Sequence, residues 1–134
     1  MLDNVERIHS GLRYLEPPGL YRFAAGRFEK SALEALPAVA GRGVAFGDLN
    51  NDGALDAVVS VLGGRPMVLR GRPNQNHWLI LKLVGTSGNR GGLGARVRIG
   101  KQWAYATTTG SYLSASDSRV HFGLGADARA TVEI

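Results

Sequence analysis

Asp48, Asn50, Asp52 and Asp56 stand at positions 1, 3, 5 and 9 of the segment Asp48-Leu49-Asn50-Asn51-Asp52-Gly53-Ala54-Leu55-Asp56. Hard cations need several carboxylate and carbonyl oxygens converging on one point, about 6–8 for Ca²⁺. Alternate spacing over the first five residues lets the chain wrap an ion with three side chains turned inward. Gly53 permits the sharp turn after the third of them. The pattern predicts a calcium loop in which Asp48, Asn50, Asp52 and Asp56 are side-chain ligands. The Ala54 backbone carbonyl, at position 7, supplies a further oxygen, and waters complete the shell. The ion's expected role is structural: it fixes the loop and holds the flanking strands in register.

An EF-hand opens in the same way, but it needs helices on both sides and a bidentate Glu at position 12. Position 12 here is Val59, inside an apolar β-branched run. The loop is therefore flanked by strands. A polar turn that merely caps a hairpin needs one or two Asp or Asn residues; four at this spacing argue for the ion.

Short strands must position the loop. Val44-Ala45-Phe46 leads into it, and Ala57 to Leu62 leaves it as a continuous run of the kind buried on both faces. Met67 to Arg70 reads as the next strand. Upstream, residues 1–16 lack a clean period and read as an irregular arm, and Pro17-Pro18-Gly19 breaks the chain. Short strands at Leu20 to Phe23 and at Phe28 then flank a turn. Ser31 to Leu36 carries helix formers behind a Ser N-cap, but Pro37 limits any helix to a turn or two.

The polar break Gly71-Arg72-Pro73-Asn74-Gln75-Asn76 is the best boundary, dividing the chain into residues 1–73 and 74–134. Beyond it, Trp78 to Val84 is a strong strand, and Gly85 to Gly94 reads as a flexible hairpin connection. Ala95 to Ile99 alternates, with Gly100-Lys101 turning into Trp103 to Thr108. Strands at Arg119 to Gly123 and Ala130 to Ile134 follow. With 19 glycines in 134 residues, the composition favours many strands and tight turns. The fold class is all-β.

The absence of cysteine excludes disulfides and thiolate metal sites. No apolar run is long enough to span a membrane. Met1-Leu2-Asp3-Asn4 lacks the layout of a signal peptide, which leaves either a protein that stays inside or a piece of a longer precursor. The net charge of +5 is uneven: residues 61–134 carry ten basic and three acidic side chains. Such a half could meet an acidic polymer. The arginines cluster only at Arg70-Gly71-Arg72 and Arg96-Val97-Arg98, the pattern of solvated strand faces, and no nucleic-acid partner is expected.

Arg42-Gly43-Val44-Ala45-Phe46-Gly47-Asp48 through Asp56-Ala57-Val58-Val59 resembles an FG-GAP/VCBS repeat, the calcium-binding blade motif of integrin-type propellers. Asn76-His77-Trp78-Leu79, Leu83-Val84-Gly85-Thr86 with Asn89-Arg90, and Gly94-Ala95-Arg96-Val97 resemble the ASPIC/UnbV domain. So do Gly110-Ser111-Tyr112-Leu113-Ser114, Ser116-Asp117 and His121-Phe122-Gly123-Leu124-Gly125. The resemblance implies propeller-blade-like antiparallel strands in residues 1–73, joined to a small antiparallel β-sandwich or barrel-like domain in 74–134. It also implies a C-terminal fragment of a cartilage-acidic-protein-like chain, secreted or periplasmic. A lone blade cannot bury its own faces, so its strands are expected to pack on the second half, on another chain or on the N-terminal arm. The remaining propeller repeats of the full-length chain are expected partners.

Other constellations read as structural. Gly123-Leu124-Gly125-Ala126-Asp127-Ala128 matches G-x-G-x-x-A but lacks the helix and βαβ unit of a dinucleotide site. Ser111, Ser114 and Ser116 near Asp117 and His121 suggest a hydrolase triad, yet no nucleophile elbow is present. The serines and Asp117 are expected to cap backbone groups locally, with Tyr112 and Leu113 plugging the core. His77 reads as a satisfied structural residue. Trp103 and Tyr105 share a face, expected to be the core in preference to a sugar-stacking surface.

The function expected is a non-catalytic, calcium-stabilised binding or adhesion module with a protein or glycan partner. The alternatives are carbohydrate recognition by Trp103 or Tyr105 with nearby arginines, and an accessory role in a biosynthetic pathway.

Overall fold

The computed structural model describes residues 8–31 and 36–134. The expected helical turn after Ser31 and the first part of the arm lie outside them. Ten strands follow in order: β1 (Tyr21–Ala24), β2 (Arg27–Lys30), β3 (Gly41–Gly47), β4 (Asp56–Val61), β5 (Met67–Leu69), β6 (His77–Leu81), β7 (Arg96–Ile99), β8 (Gln102–Tyr105), β9 (Val120–Gly125) and β10 (Val132–Glu133). There is no helical element among the described residues. The fold is all-β.

The strands form four small antiparallel sheets, ordered β1-β2, β3-β4-β5, β6-β9 and β10-β7-β8. None closes into a barrel. No strand of β1 to β5 pairs with a strand of β6 to β10, so the ladders respect the Gly71–Asn76 break. One expected connection differs. β6 pairs with β9, Leu79 opposite Phe122, so Gly85 to Gly94 is a crossing between sheets and not a hairpin loop. Asn89 orders it: its side-chain amide donates to the Leu93 carbonyl and accepts from the Leu93 amide.

The main core lies in the second half. Val97 and Ile99 from β7, Ala106, and Val120 and Phe122 from β9 are buried together. Leu79, Leu81, Leu83, Ala104, Leu124 and Val132 pack around them. The two sheets of this half thus sandwich one apolar layer, as the alternation of Val97 and Ile99 with Arg96 and Arg98 requires.

The first half buries less. β4 is the central strand of its sheet, but only Val59 among its apolar residues is buried, while Ala57, Val58 and Val61 are half exposed. The expectation of a strand covered on both faces fails, because a three-stranded sheet has no second layer of its own to supply the cover.

Phe122 stands 3% exposed in the sandwich core. Phe122→Ala is expected to cost about 3–5 kcal/mol, the range for truncating a buried aromatic. Urea unfolding measures it; a loss below about 1 kcal/mol would move Phe122 out of the core.

Candidate functional site

The loop hangs between the paired ends of β3 and β4, where Gly47 faces Asp56. Two of its carboxylates are buried, Asp48 at 3% and Asp56 at 1% exposure. A buried carboxylate must find donors, and each oxygen here has one. Asp48 Oδ1 accepts from the Asp52 amide at 3.1 Å and Oδ2 from the Gly53 amide at 2.8 Å. Asp56 Oδ2 accepts from the Leu49 amide at 3.0 Å and Oδ1 from the Gly71 amide at 2.8 Å. Arg70 Nε lies 3.7 Å from the same Oδ1. Asp48 therefore closes the loop, and Asp56 ties it back to its start and forward to the boundary segment.

Asp52 sits nearer solvent. Its Oδ1 accepts from the Ala54 amide at 2.9 Å and its Oδ2 from the Asn50 side-chain amide at 2.6 Å. The Ala54 amide, then the Asn50 side chain and the charge of Arg70, hold its carboxyl below the ordinary value of 3.8 against a small desolvation cost.

The five expected calcium donors fit in type and chain order. Gly53 supplies the sharp turn at position 6, with φ of +87°. Each carboxylate oxygen that accepts one hydrogen bond keeps a lone pair for a cation. The side chains are not gathered as a ready cage: among the described residues no three His, Cys, Asp or Glu groups converge as metal ligands. Asn50 and Asp52 meet each other. Asp48 and Asp56 line the cleft on one side of the loop, and Asp52 and Ala54 the cleft on the other.

The loop is also where the two halves meet. Arg119, just before β9, donates from Nη2 to the Asp48 carbonyl at 2.9 Å and from Nη1 to Asn51 Oδ1 at 2.7 Å. His121 Nε2 donates to the Gly53 carbonyl at 2.8 Å. The Trp78 indole lies so close to Gly53 that a Cβ there would fall inside the ring. Glycine is required at this position twice over, for φ and for space.

Alongside, residues 114–117 run against the free edge of β3. The Val44 amide donates to Ser114 Oγ at 2.9 Å, the Phe46 amide to Ser116 Oγ at 3.1 Å, and the Asp117 amide to the Phe46 carbonyl at 2.9 Å. Gly43 lets this segment approach, since a Cβ there would meet Ser114 Oγ and the carbonyls of Tyr112 and Leu113. The expected local caps are present, Ser114 on the Tyr112 carbonyl and Asp117 on the Arg119 amide, and Ser114 and Ser116 also cap amides of a strand 70 residues away.

These contacts separate the pieces of the suspected hydrolase triad. Ser114 donates to the Tyr112 carbonyl, His121 binds Gly53, and Asp117 binds Arg119. Gly123-Leu124-Gly125 lies in β9, and no helix follows it. Three further expectations are corrected. Tyr112 and Leu113 are exposed rather than plugging the core. His77 is exposed, and the satisfied histidine is His121. Trp103 and Tyr105 are exposed, because Ala104 between them faces inward with Val97.

Comparison with known proteins bears on the same half that clamps the loop. The family model described as ASPIC and UnbV matches residues 85–134. Residues 85–134 are thus similar to the ASPIC and UnbV family. This ASPIC/UnbV stretch runs from the Gly85 crossing through β7 to β10 and includes Ser114, Ser116, Asp117, Arg119 and His121. The Asn76-His77-Trp78-Leu79 segment lies outside it. No curated protein and no solved structure matches the chain.

Gly53→Ala should destabilise the chain by more than about 1 kcal/mol, since alanine at positive φ is strained and its methyl meets Trp78. Urea unfolding that matches the parent would contradict this packing. A second expectation concerns acid. Partial burial raises the Asp117 carboxyl, but the Arg119 amide, side chain and charge outweigh it and hold it below 3.8. A depressed carboxylate binds fewer protons folded than unfolded, so its stabilisation is complete above the unfolded value and fades as pH falls through the folded one. Melting temperature should therefore drop below about pH 4, and less steeply in Asp117→Asn. Equal acid slopes for both proteins would refute the assignment.

Proposed function

We propose that the chain is a non-catalytic binding module in which a calcium-binding loop fastens a blade-like unit to the ASPIC/UnbV stretch. The observation that carries this reading is the position of the Asp48–Asp56 loop. Its backbone carbonyls and its turn glycine are the places where Arg119, His121 and Trp78 take hold. A cation held by Asp48, Asn50, Asp52, Asp56 and the Ala54 carbonyl would offset the repulsion of three carboxylates and stiffen the surface on which the second half rests. FG-GAP/VCBS-like identity for residues 42–59 belongs to the same reading, supported by the loop spacing and its strand flanks. So do an extracellular or periplasmic location, where calcium is plentiful, and adhesion to a protein or glycan partner.

The non-catalytic part of the reading is supported by where the candidate nucleophile and base are spent. Ser114 and Ser116 cap the edge of β3, and His121 holds a carbonyl.

Binding to the folded state alone stabilises it by about 2.7 kcal/mol at 100 times the dissociation constant. Added calcium should therefore raise the melting temperature, and Asp52→Ala should abolish that rise whatever it does to the metal-free protein. A calorimetric titration without heat, together with an unchanged melting curve, would overturn the calcium reading.

A further inference from the structure

The outer face of the β10-β7-β8 sheet carries two large aromatic rings in solvent. Trp103 is 63% and Tyr105 51% exposed. Their rings meet edge to face, with centroids 5.5 Å apart and planes at 84°. The register sets Arg98 opposite Trp103 and Arg96 opposite Tyr105, and residues directly opposite in an antiparallel pair share a face with Cβ atoms about 5 Å apart. The inner face is occupied by Val97, Ile99 and Ala104 in the core. Burying the aromatics would need the sheet inverted, which would carry Arg96 and Arg98 into the sandwich. Their exposure is therefore a fixed property of the strand pairing.

The two arginines are not equivalent. Arg98 Nε donates to the Gly100 carbonyl at 2.8 Å, and its Nη1 lies 3.7 Å from Glu133. Arg96 makes no hydrogen bond or ion pair among the described residues. The face thus presents an indole, a phenol and one uncommitted guanidinium.

We propose that this face binds an acidic polysaccharide, with Trp103 stacking on a pyranose ring and Arg96 holding the carboxylate of a uronic acid. The apolar C–H face of a sugar suits an indole face, and a guanidinium matches a carboxylate in a planar two-bond fork. The excess of ten basic over three acidic side chains in residues 61–134 favours an anionic ligand at long range. A nucleic acid fits less well. It needs a track of cations for successive phosphates and parallel platforms for successive bases. Here Glu133 occupies Arg98, and the edge-to-face pair leaves no run of parallel rings.

The inference rests on the reading of the chain as a binding module and uses no residue of the Asp48–Asp56 loop. Its test is isothermal titration of the full chain with oligogalacturonate, its methyl ester and oligo(dT) in calcium-free, low-salt buffer. Oligogalacturonate should bind saturably and about tenfold more tightly than the neutral ester, a step of one decade in Kd. Trp103→Ala and Arg96→Gln should each weaken it about tenfold, with melting curves confirming that both variants fold. Phe28→Ser, on the β1-β2 hairpin, should bind as the parent does. No saturable binding, equal affinity for the ester, undiminished binding by either variant, or tighter binding of oligo(dT) would each overturn the proposal. The melting response to calcium is read without glycan, so either reading can fail alone.

Discussion

Two carboxylates taken out of water, those of Asp48 and Asp56, set the terms for much of this structure. A buried charge without donors is costly enough to unfold a small domain, so the backbone is arranged to supply four amides to their four oxygens. That requirement curls the loop through Gly53, pins Leu49 and draws the boundary segment at Gly71 against β4. The conformation is thus specified by the chain's own carboxylates. A cation would add to a loop already closed.

The same curl turns the carbonyls of Asp48 and Gly53 outward, and backbone oxygens at a turn need partners of their own. Arg119 and His121 provide them from the other half of the chain. β3 presents a second unsatisfied surface, an edge strand whose free amides invite pairing. Ser114 and Ser116 cover it with hydroxyls at the two-residue period of the strand. The halves are therefore joined largely by polar contacts to backbone atoms, with Arg119 also on the Asn51 side chain and Trp78 packed on Gly53. Among the described residues no sheet is shared between them. Such a joint is directional and depends on the loop keeping its shape, which links loop chemistry to the arrangement of the halves.

Packing is distributed unequally. The second half closes two sheets over one apolar layer, while β1 to β5 form thin sheets with much of their apolar surface half exposed. Phe23 and Phe28 on the β1-β2 hairpin pack on each other and still face solvent. A two-stranded hairpin of this kind is marginal by itself.

The sequence by itself determined the all-β class and the place of nearly every strand. Those features rest on local signals: alternation, β-branched runs and glycine turns. The order of acidic and amide side chains in the loop is also legible, because nine consecutive residues carry it. One legible signal was missed. Gly100-Lys101 as a two-residue turn fixes Trp103 opposite Arg98, which already puts the aromatics on the polar face. Only the tertiary structure decided what the loop touches. Arg119, His121 and Trp78 on the loop, and the two serines on β3, lie some 25 to 70 residues away in the chain, and no local pattern encodes a contact made by long-range docking. It also decided that β6 pairs with β9 rather than β7, since strand choice depends on which faces share a core and not on the strand's own residues.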